Sequence, residues 1–294
     1  MFKNPGNIVS SYLAKITGLF KFGPREITLP DFLVIGAAKA GTSACITNLG
    51  RHPDIFIASK EDKIRCLKDE IFLYDFDYLG HGEIKFFSEK EFYDKGKDWY
   101  AAFFNKSWRK LKGEKSPDYL YNYENYNKFK SRTCDRIKDL LPDVKIIILL
   151  RDPVNRSFSH WNHIQDQLYK SSEKYHHKSF YDCITDEDEQ NFILKNSDYY
   201  QNIVGYLSVF GKEKIHIAIQ ERIITNMHDE YMKMFDFLGV KRKQKLNFTI
   251  VHKRDYKDRE LDNKSLEYLK EYYRDGVSKL KDLLNDDLTE WRQY

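Results

Sequence analysis

The stretch from Asp31 to Arg51, Asp-Phe-Leu-Val-Ile-Gly-Ala-Ala-Lys-Ala-Gly-Thr-Ser-Ala-Cys-Ile-Thr-Asn-Leu-Gly-Arg, constrains the fold more than any other. Phe32 to Ile35 is a short apolar run of the kind that fills a parallel strand covered on both faces. It stops at Gly36, and a loop of small residues follows. An amphipathic helix is predicted from about Thr42, with Cys45, Ile46 and Leu49 on its inner stripe. Strand, glycine-bearing loop and helix N-terminus together make an anion cradle, because free backbone N–H groups and the positive end of the helix dipole meet there. Lys39 adds a full charge, Thr42 and Ser43 add hydroxyls, and Ala40 and Gly41 add close-lying backbone.

A nucleotide P-loop needs Gly, four residues, then Gly-Lys-Ser/Thr. Gly36 and Gly41 have that spacing, but Thr42 stands where the lysine belongs and the lysine has moved to Lys39. The order Lys-x-Gly-Thr-Ser after a strand resembles the 5′-phosphosulfate loop of the sulfotransferases that use 3′-phosphoadenosine 5′-phosphosulfate (PAPS). On a plainer reading the segment is a strand–helix junction with a solvated lysine.

A chain of 294 residues holds one large α/β domain or two small ones. No internal repeat or low-complexity linker divides it, so one domain is expected over 31–294, with residues 1–30 as an N-terminal extension. A hydrophobic content of 41 %, with 15 % aromatic residues, is enough for a sizeable core. The net charge of +4, from 49 basic and 45 acidic residues, is too balanced to point to nucleic acid. Cys45, Cys66, Cys134 and Cys183 have no metal or redox spacing, which reads as free thiols in a reducing compartment and hence a cytoplasmic protein. No stretch approaches a membrane span. Residues 8–20 have helical apolar spacing (Ile8, Val9, Tyr12, Leu13, Ile16, Leu19, Phe20), with Lys15, Lys21 and Arg25 nearby. They read as a helix packed on the domain or as a weak membrane-surface contact. Lys15 interrupts the apolar region and no cleavage site follows, which speaks against a secretory signal.

Further strands are predicted at 55–57, 82–87, 113–116, 144–150 and 214–219, and helices over about 97–104, 122–140, 190–210, 221–238 and 262–284. Residues 60–82 form a charged, aromatic surface excursion, and 241–260 are basic and irregular. Strands alternating with helices predict a P-loop-like, doubly wound, mainly parallel sheet flanked by helices. Ligands bind such sheets beyond the carboxyl ends of the strands. Two strands end there in an anion-suited group, Lys39 and Arg151, and Ser159 follows Arg151 by about two helical turns.

The sequence Arg151-Asp-Pro-Val-Asn-Arg156-Ser-Phe-Ser159-His160 is similar to the 3′-phosphate motif of the same family. That resemblance assigns the donor's 3′-phosphate to Arg151 and Ser159. Glu83-Ile-Lys-Phe-Phe, Lys-Gly-Lys-Asp-Trp-Tyr and Gly-Glu-Lys115-Ser-Pro-Asp-Tyr resemble its carbohydrate branch, the heparan-sulfate-type enzymes. The resemblance covers roughly residues 31–240. It implies Glu83 as catalytic base and places Lys115 near the transferring group. It also implies PAPS as donor without a metal, and a carbohydrate or glycolipid as acceptor. Two features depart from the family pattern: Gly82 stands where a lysine is usual, and a Lys60-Glu61 pair offers a second carboxylate. The basic run around Lys253 and Arg254 is the candidate loop closing over the donor. His160 and His163 are rival bases, more simply read as packing or surface groups. A P-loop kinase using ATP and Mg²⁺, and a non-catalytic nucleotide- or glycan-binding module, are the alternative readings.

Overall fold

Apolar runs too hydrophobic to face water on either side become inner strands, and here they pair into one sheet. The computed structural model describes residues 27–58, 82–105, 110–124, 128–171, 179–186, 193–243, 245–249, 259–292 and 294. Within them lie strands β1 (Phe32–Gly36), β2 (Ile55–Ile57), β3 (Leu111–Lys115), β4 (Lys145–Leu150) and β5 (Ile215–Ile219). The spatial order is β2-β3-β1-β4-β5 and every pairing is parallel. Every residue of β1 is buried, and so is every residue of β4 after Lys145.

The helices are α1 (Thr42–Leu49), α2 (Lys90–Tyr93), α3 (Gly96–Ala101), α4 (Thr133–Leu140), α5 (Pro153–Ser171), α6 (Phe180–Thr185), α7 (Tyr199–Phe210), α8 (Gln220–Thr225), α9 (Met227–Leu238) and α10 (Asn263–Leu284). They cover the sheet in two groups. On α1, Asn48 donates its Nδ2–H to Tyr231 Oη of α9 at 3.0 Å. In the other group Ser157 of α5 and Tyr273 of α10 share a 2.8 Å hydroxyl contact. From β1 the chain runs out to β2, returns to β3, then crosses to β4 and β5. That reversal opens a crevice beyond the carboxyl ends of β1 and β4, the usual ligand position in a doubly wound sheet.

Four predicted elements differ, one of them the helix expected over 190–210, of which α7 begins only at Tyr199 after a 3-10 turn at Lys195–Ser197. The strand expected over 82–87 does not form: Gly82 and Lys85 have φ of 65° and 60°, outside the extended region. Lys85 N–H donates to Ser116 Oγ at 3.0 Å instead of a strand ladder, and its carbonyl accepts from Ser88 and Glu89, closing a turn. The turn buries both Phe86, stacked on Tyr100, and Phe87, edge-on to Tyr119, whereas a strand would point them to opposite faces. The helix expected over 122–140 is confined to α4. Asn122 Oδ1 accepts Cys134 N–H at 3.0 Å and Thr133 Oγ donates to the Tyr121 carbonyl at 2.7 Å, so local polar side chains compete with a longer helix. The helix expected over 221–238 is two helices, α8 and α9, broken at Asn226, whose φ and ψ of −137° and 59° are not helical. The expectations for 8–20, for Lys60 and Glu61 with the excursion after them, and for Lys253 and Arg254 fall outside the described residues.

Phe32 lies opposite Gly113 in the β1–β3 register. A Cβ on Gly113 would overlap the Phe32 ring. Gly113→Ala is therefore expected to destabilise the protein by about 1–3 kcal/mol through overpacking, measured by urea denaturation. Phe32→Leu, which trims the ring, should absorb part of that cost in the double variant. Strict additivity of the two would show that the Phe32 ring is not what resists the methyl group.

Candidate active site

The loop after β1 is shaped by two left-handed residues, Lys39 at φ 70° and Gly41 at φ 88°. Gly41 is the N-cap of α1 and brings no side chain to the first-turn amides, and that turn has no acidic residue. An uncapped, acid-free helix start leaves the amides of Thr42, Ser43 and Ala44 to an outside acceptor. Within the loop, Ala37 N–H is tied to the Leu149 carbonyl and Ala40 N–H to the Ala37 carbonyl, so the turn is braced against β4. Ala40 and Thr42 are buried, and Ser43 is partly open.

Arg151, at the end of β4, donates from Nη1 to the Lys39 carbonyl at 3.1 Å, joining the two strand-end groups across the crevice. Ser159 is buried in the second turn of α5. The motif's other arginine has a structural part. Arg156 is fully buried. It donates to the Ile193 carbonyl at 2.5 Å and to Ser197 Oγ, and reaches the Ala38 carbonyl at 3.5 Å. It thereby links the β1 loop, α5 and the 193–197 strip. In sequence its only signal was its place in the motif and its i, i+4 spacing to His160.

His160 is 7 % exposed, with Nδ1 at 3.4 Å from Arg156. Burial, then the positive charges of Arg156 and Lys39, push its pKa well below the usual histidine range. It is neutral at neutral pH and packed against Arg156, in keeping with the packing reading. The two cations that depress it mark this end of the sheet as a positive field.

Opposite the loop, side chains alternate along β3. Glu114 is fully buried and collects three hydroxyl donors, Tyr100 at 2.7 Å, Tyr119 at 2.9 Å and Ser116 at 2.8 Å. Burial raises its pKa, while those donors pull the other way. Lys115 is also buried, with 4 % of its side chain exposed. Its Nζ lies 2.8 Å from Glu83 Oε1 and 3.1 Å from Ser43 Oγ, so Glu83, Lys115 and the first turn of α1 form one polar line. The turn at 82–88 makes this line: Lys85 bonds Ser116 through its N–H and pairs with Asp118 at 3.0 Å. Burial alone would lower the Lys85 pKa, but the Asp118 and Glu83 carboxylates outweigh it and the net shift is upward.

The predicted site residues Glu83, Lys115 and Ser43 thus meet directly, and Lys39 meets Arg151. Three residues close to the site had no sequence signal of their own: Gln220, whose side chain lies over the Cα of Gly41, Glu221 on Asp152 N–H at 3.1 Å, and Tyr199 on the Arg151 carbonyl at 2.9 Å.

Comparison with known proteins supplies the relations of this geometry. Heparan sulfate glucosamine 3-O-sulfotransferase 5 of mouse is 26 % identical over 216 residues, covering 72 % of this chain and 54 % of the relative. The chain spans about half the length of such relatives. Membrane-associated sulfotransferase kil1 of Dictyostelium discoideum is 32 % identical over 142 residues, 47 % of this chain and 24 % of the relative. Among solved structures, a sulfotransferase from Alicyclobacillus acidocaldarius superposes with a TM-score of 0.62 at 25 % identity, covering 90 % of this chain and all of that one.

These relatives correct the expected cytoplasmic location, which does not stand beside a heparan sulfate enzyme and a membrane-associated one. Free thiols do not fix the compartment here. Cys45, Cys134 and Cys183 are free but buried, and a thiol sealed in a core stays reduced whatever the compartment. Among the described residues no helix is long and apolar enough to cross a membrane. The sulfotransferase domain model matches residues 29–290, which hold every strand and helix given above, and the chain belongs to that family.

Proposed function

We propose that this chain transfers a sulfuryl group from PAPS to a hydroxyl or amine of a carbohydrate-type acceptor, with Glu83 as general base. The observation that carries the reading is the polar line from Glu83 through Lys115 to Ser43, at 2.8 and 3.1 Å. It sets a carboxylate and a buried ammonium beside the helix start that is suited to the donor's 5′-phosphosulfate. The heparan sulfate relative supports a carbohydrate acceptor.

In this reading the amides of the Lys39–Ser43 loop and the Lys39 charge hold the 5′ end of the donor, and Arg151 with Ser159 holds its 3′-phosphate. The donor supplies an activated sulfuryl group on a phosphate leaving group. Glu83 takes the proton of the acceptor O–H or N–H as that atom bonds to sulfur. Lys39 and the loop amides balance the charge that grows on the departing phosphate oxygen. Lys115, pinned between Glu83 and Ser43, fixes the base relative to the loop and places a positive charge at the transferring group. Proposed contacts to Lys253 and Arg254 would come from the closing basic run.

Two measurements test this. In calorimetry, the product 3′-phosphoadenosine 5′-phosphate (PAP) should bind far more tightly than AMP. Arg151→Ala should remove most of the difference, a charge-assisted contact of roughly 1.5–3 kcal/mol. Equal affinities of the unaltered protein for PAP and AMP would refute the 3′-phosphate assignment. In turnover assays with carbohydrate acceptors, Glu83→Gln should lower transfer about 10²–10⁴-fold while PAP affinity persists. Glu61→Gln should change acceptor KM at most. The reverse result would move the base to Glu61.

A further inference from the structure

The peptide unit between Arg151 and Asp152 is held at both of its polar ends. Its carbonyl accepts the Tyr199 hydroxyl at 2.9 Å, and its N–H donates to Glu221 Oε1 at 3.1 Å. Those two partners are joined through one more residue. Trp291 donates its indole N–H to Glu221 Oε2 at 3.2 Å, and its ring lies against that of Tyr199, with centroids 6.1 Å apart at 49°. The contacts close a loop from the peptide carbonyl through Tyr199, Trp291 and Glu221 back to the peptide N–H. Trp291 is 1 % exposed, so its indole N–H has to find a protein acceptor.

The segment bearing Trp291 is itself anchored. Arg222, beside Glu221 on α8, makes paired bonds to Asp286 at 2.5 and 2.8 Å and to Glu290 at 2.8 Å for both. Forked pairs of this kind fix orientation as well as distance. Leu288, between the two acids, is buried.

The plane of this peptide governs two things at once. On one side it ends β4 and aims Arg151 at the loop. On the other, Asp152 starts α5: its Oδ1 accepts Asn155 N–H and its carbonyl accepts Arg156 N–H, both at 2.8 Å. Rotation of the plane would therefore displace Arg151 relative to Ser159 on α5.

We propose that Glu221 and Trp291 are positioning residues for the 3′-phosphate corner. The segment from Asp286 to Trp291 holds the Arg151–Asp152 peptide in the orientation that lets Arg151 and Ser159 grip one phosphate. This rests on the PAPS reading above. Glu221 and Trp291 act through the peptide and not on the donor.

Calorimetry with PAP and with AMP on the full chain, on Glu221→Gln and on Trp291→Phe tests it. Glutamine has the shape of glutamate, but its NH2 replaces one of the two oxygens that the donors bind separately, so one N–H would face another donor. Phenylalanine keeps a ring beside Tyr199 and removes the indole N–H. Each variant should bind PAP about 3- to 10-fold more weakly and AMP as before, and the double variant should lose little more than the weaker-binding single. Affinity is read on the folded fraction and Tm is recorded alongside, so a drop in stability alone does not mimic the effect. If both variants keep the original ratio of PAP to AMP affinity, with or without a lower Tm, the contacts only brace the fold and the positioning role is refuted. If the unaltered protein does not prefer PAP, the PAPS reading fails first and this proposal falls with it.

Discussion

A parallel sheet covered on both faces has no room for chemistry except at its ends, and that constraint organises this molecule. β1 and β4 are sealed at every position but Lys145. Their polar business is displaced to the residues just past their carboxyl ends, Lys39 and Arg151. The topological reversal at β1 leaves those ends facing one crevice, and the 3.1 Å bond from Arg151 to the Lys39 carbonyl ties its two sides. A conventional P-loop lysine would sit on the helix. Moving it into the loop leaves Thr42 and Ser43 at the helix start, where Ser43 meets Lys115.

Adjacent residues of β3 use the strand's alternation to do opposite things. Glu114 turns into the protein and is met by three hydroxyl donors, two of them from the tyrosines that also wedge Phe86 and Phe87 in place. Lys115 turns toward the crevice and pairs with Glu83. An ion pair with one partner buried is weak evidence for stability, because its attraction must first offset the water that the charges lose. Its place beside a positive loop fits a role in the proposed transfer better than a role in holding the fold.

The site also depends on parts of the chain remote in sequence. Arg156 connects the β1 loop to the 193–197 strip, and the segment with Trp291 closes the contacts around the Arg151–Asp152 peptide. Catalytic groups held by packed, hydrogen-bonded neighbours keep their geometry without reorganising during the reaction. Burial, with the charges of Arg156 and Lys39 beside it, likewise lowers the pKa of His160.

What the sequence determined by itself was whatever depends on neighbours a few residues away. The runs at 32–35 and 144–150 are too apolar for anything but inner strands. Gly36, Lys39, Gly41 and Thr42 follow each other in an order that suits a strand–loop–helix cradle. Asp262 and Gly239 sit where a helix starts and where one ends, as caps do. What only the tertiary structure decided depends on partners far along the chain. Residues 84–87 have strand-like composition, yet Ser116 takes the Lys85 N–H and the aromatic cluster of Tyr100 and Tyr119 takes both phenylalanines, so a turn wins. Asn122 shortens a helix by capping Cys134. Glu83 and Lys115 are 32 positions apart and Glu221 and Trp291 are 70. Periodicity and propensity act within a few turns of chain, while pairing of buried charges and indoles is settled by which groups lose their water together.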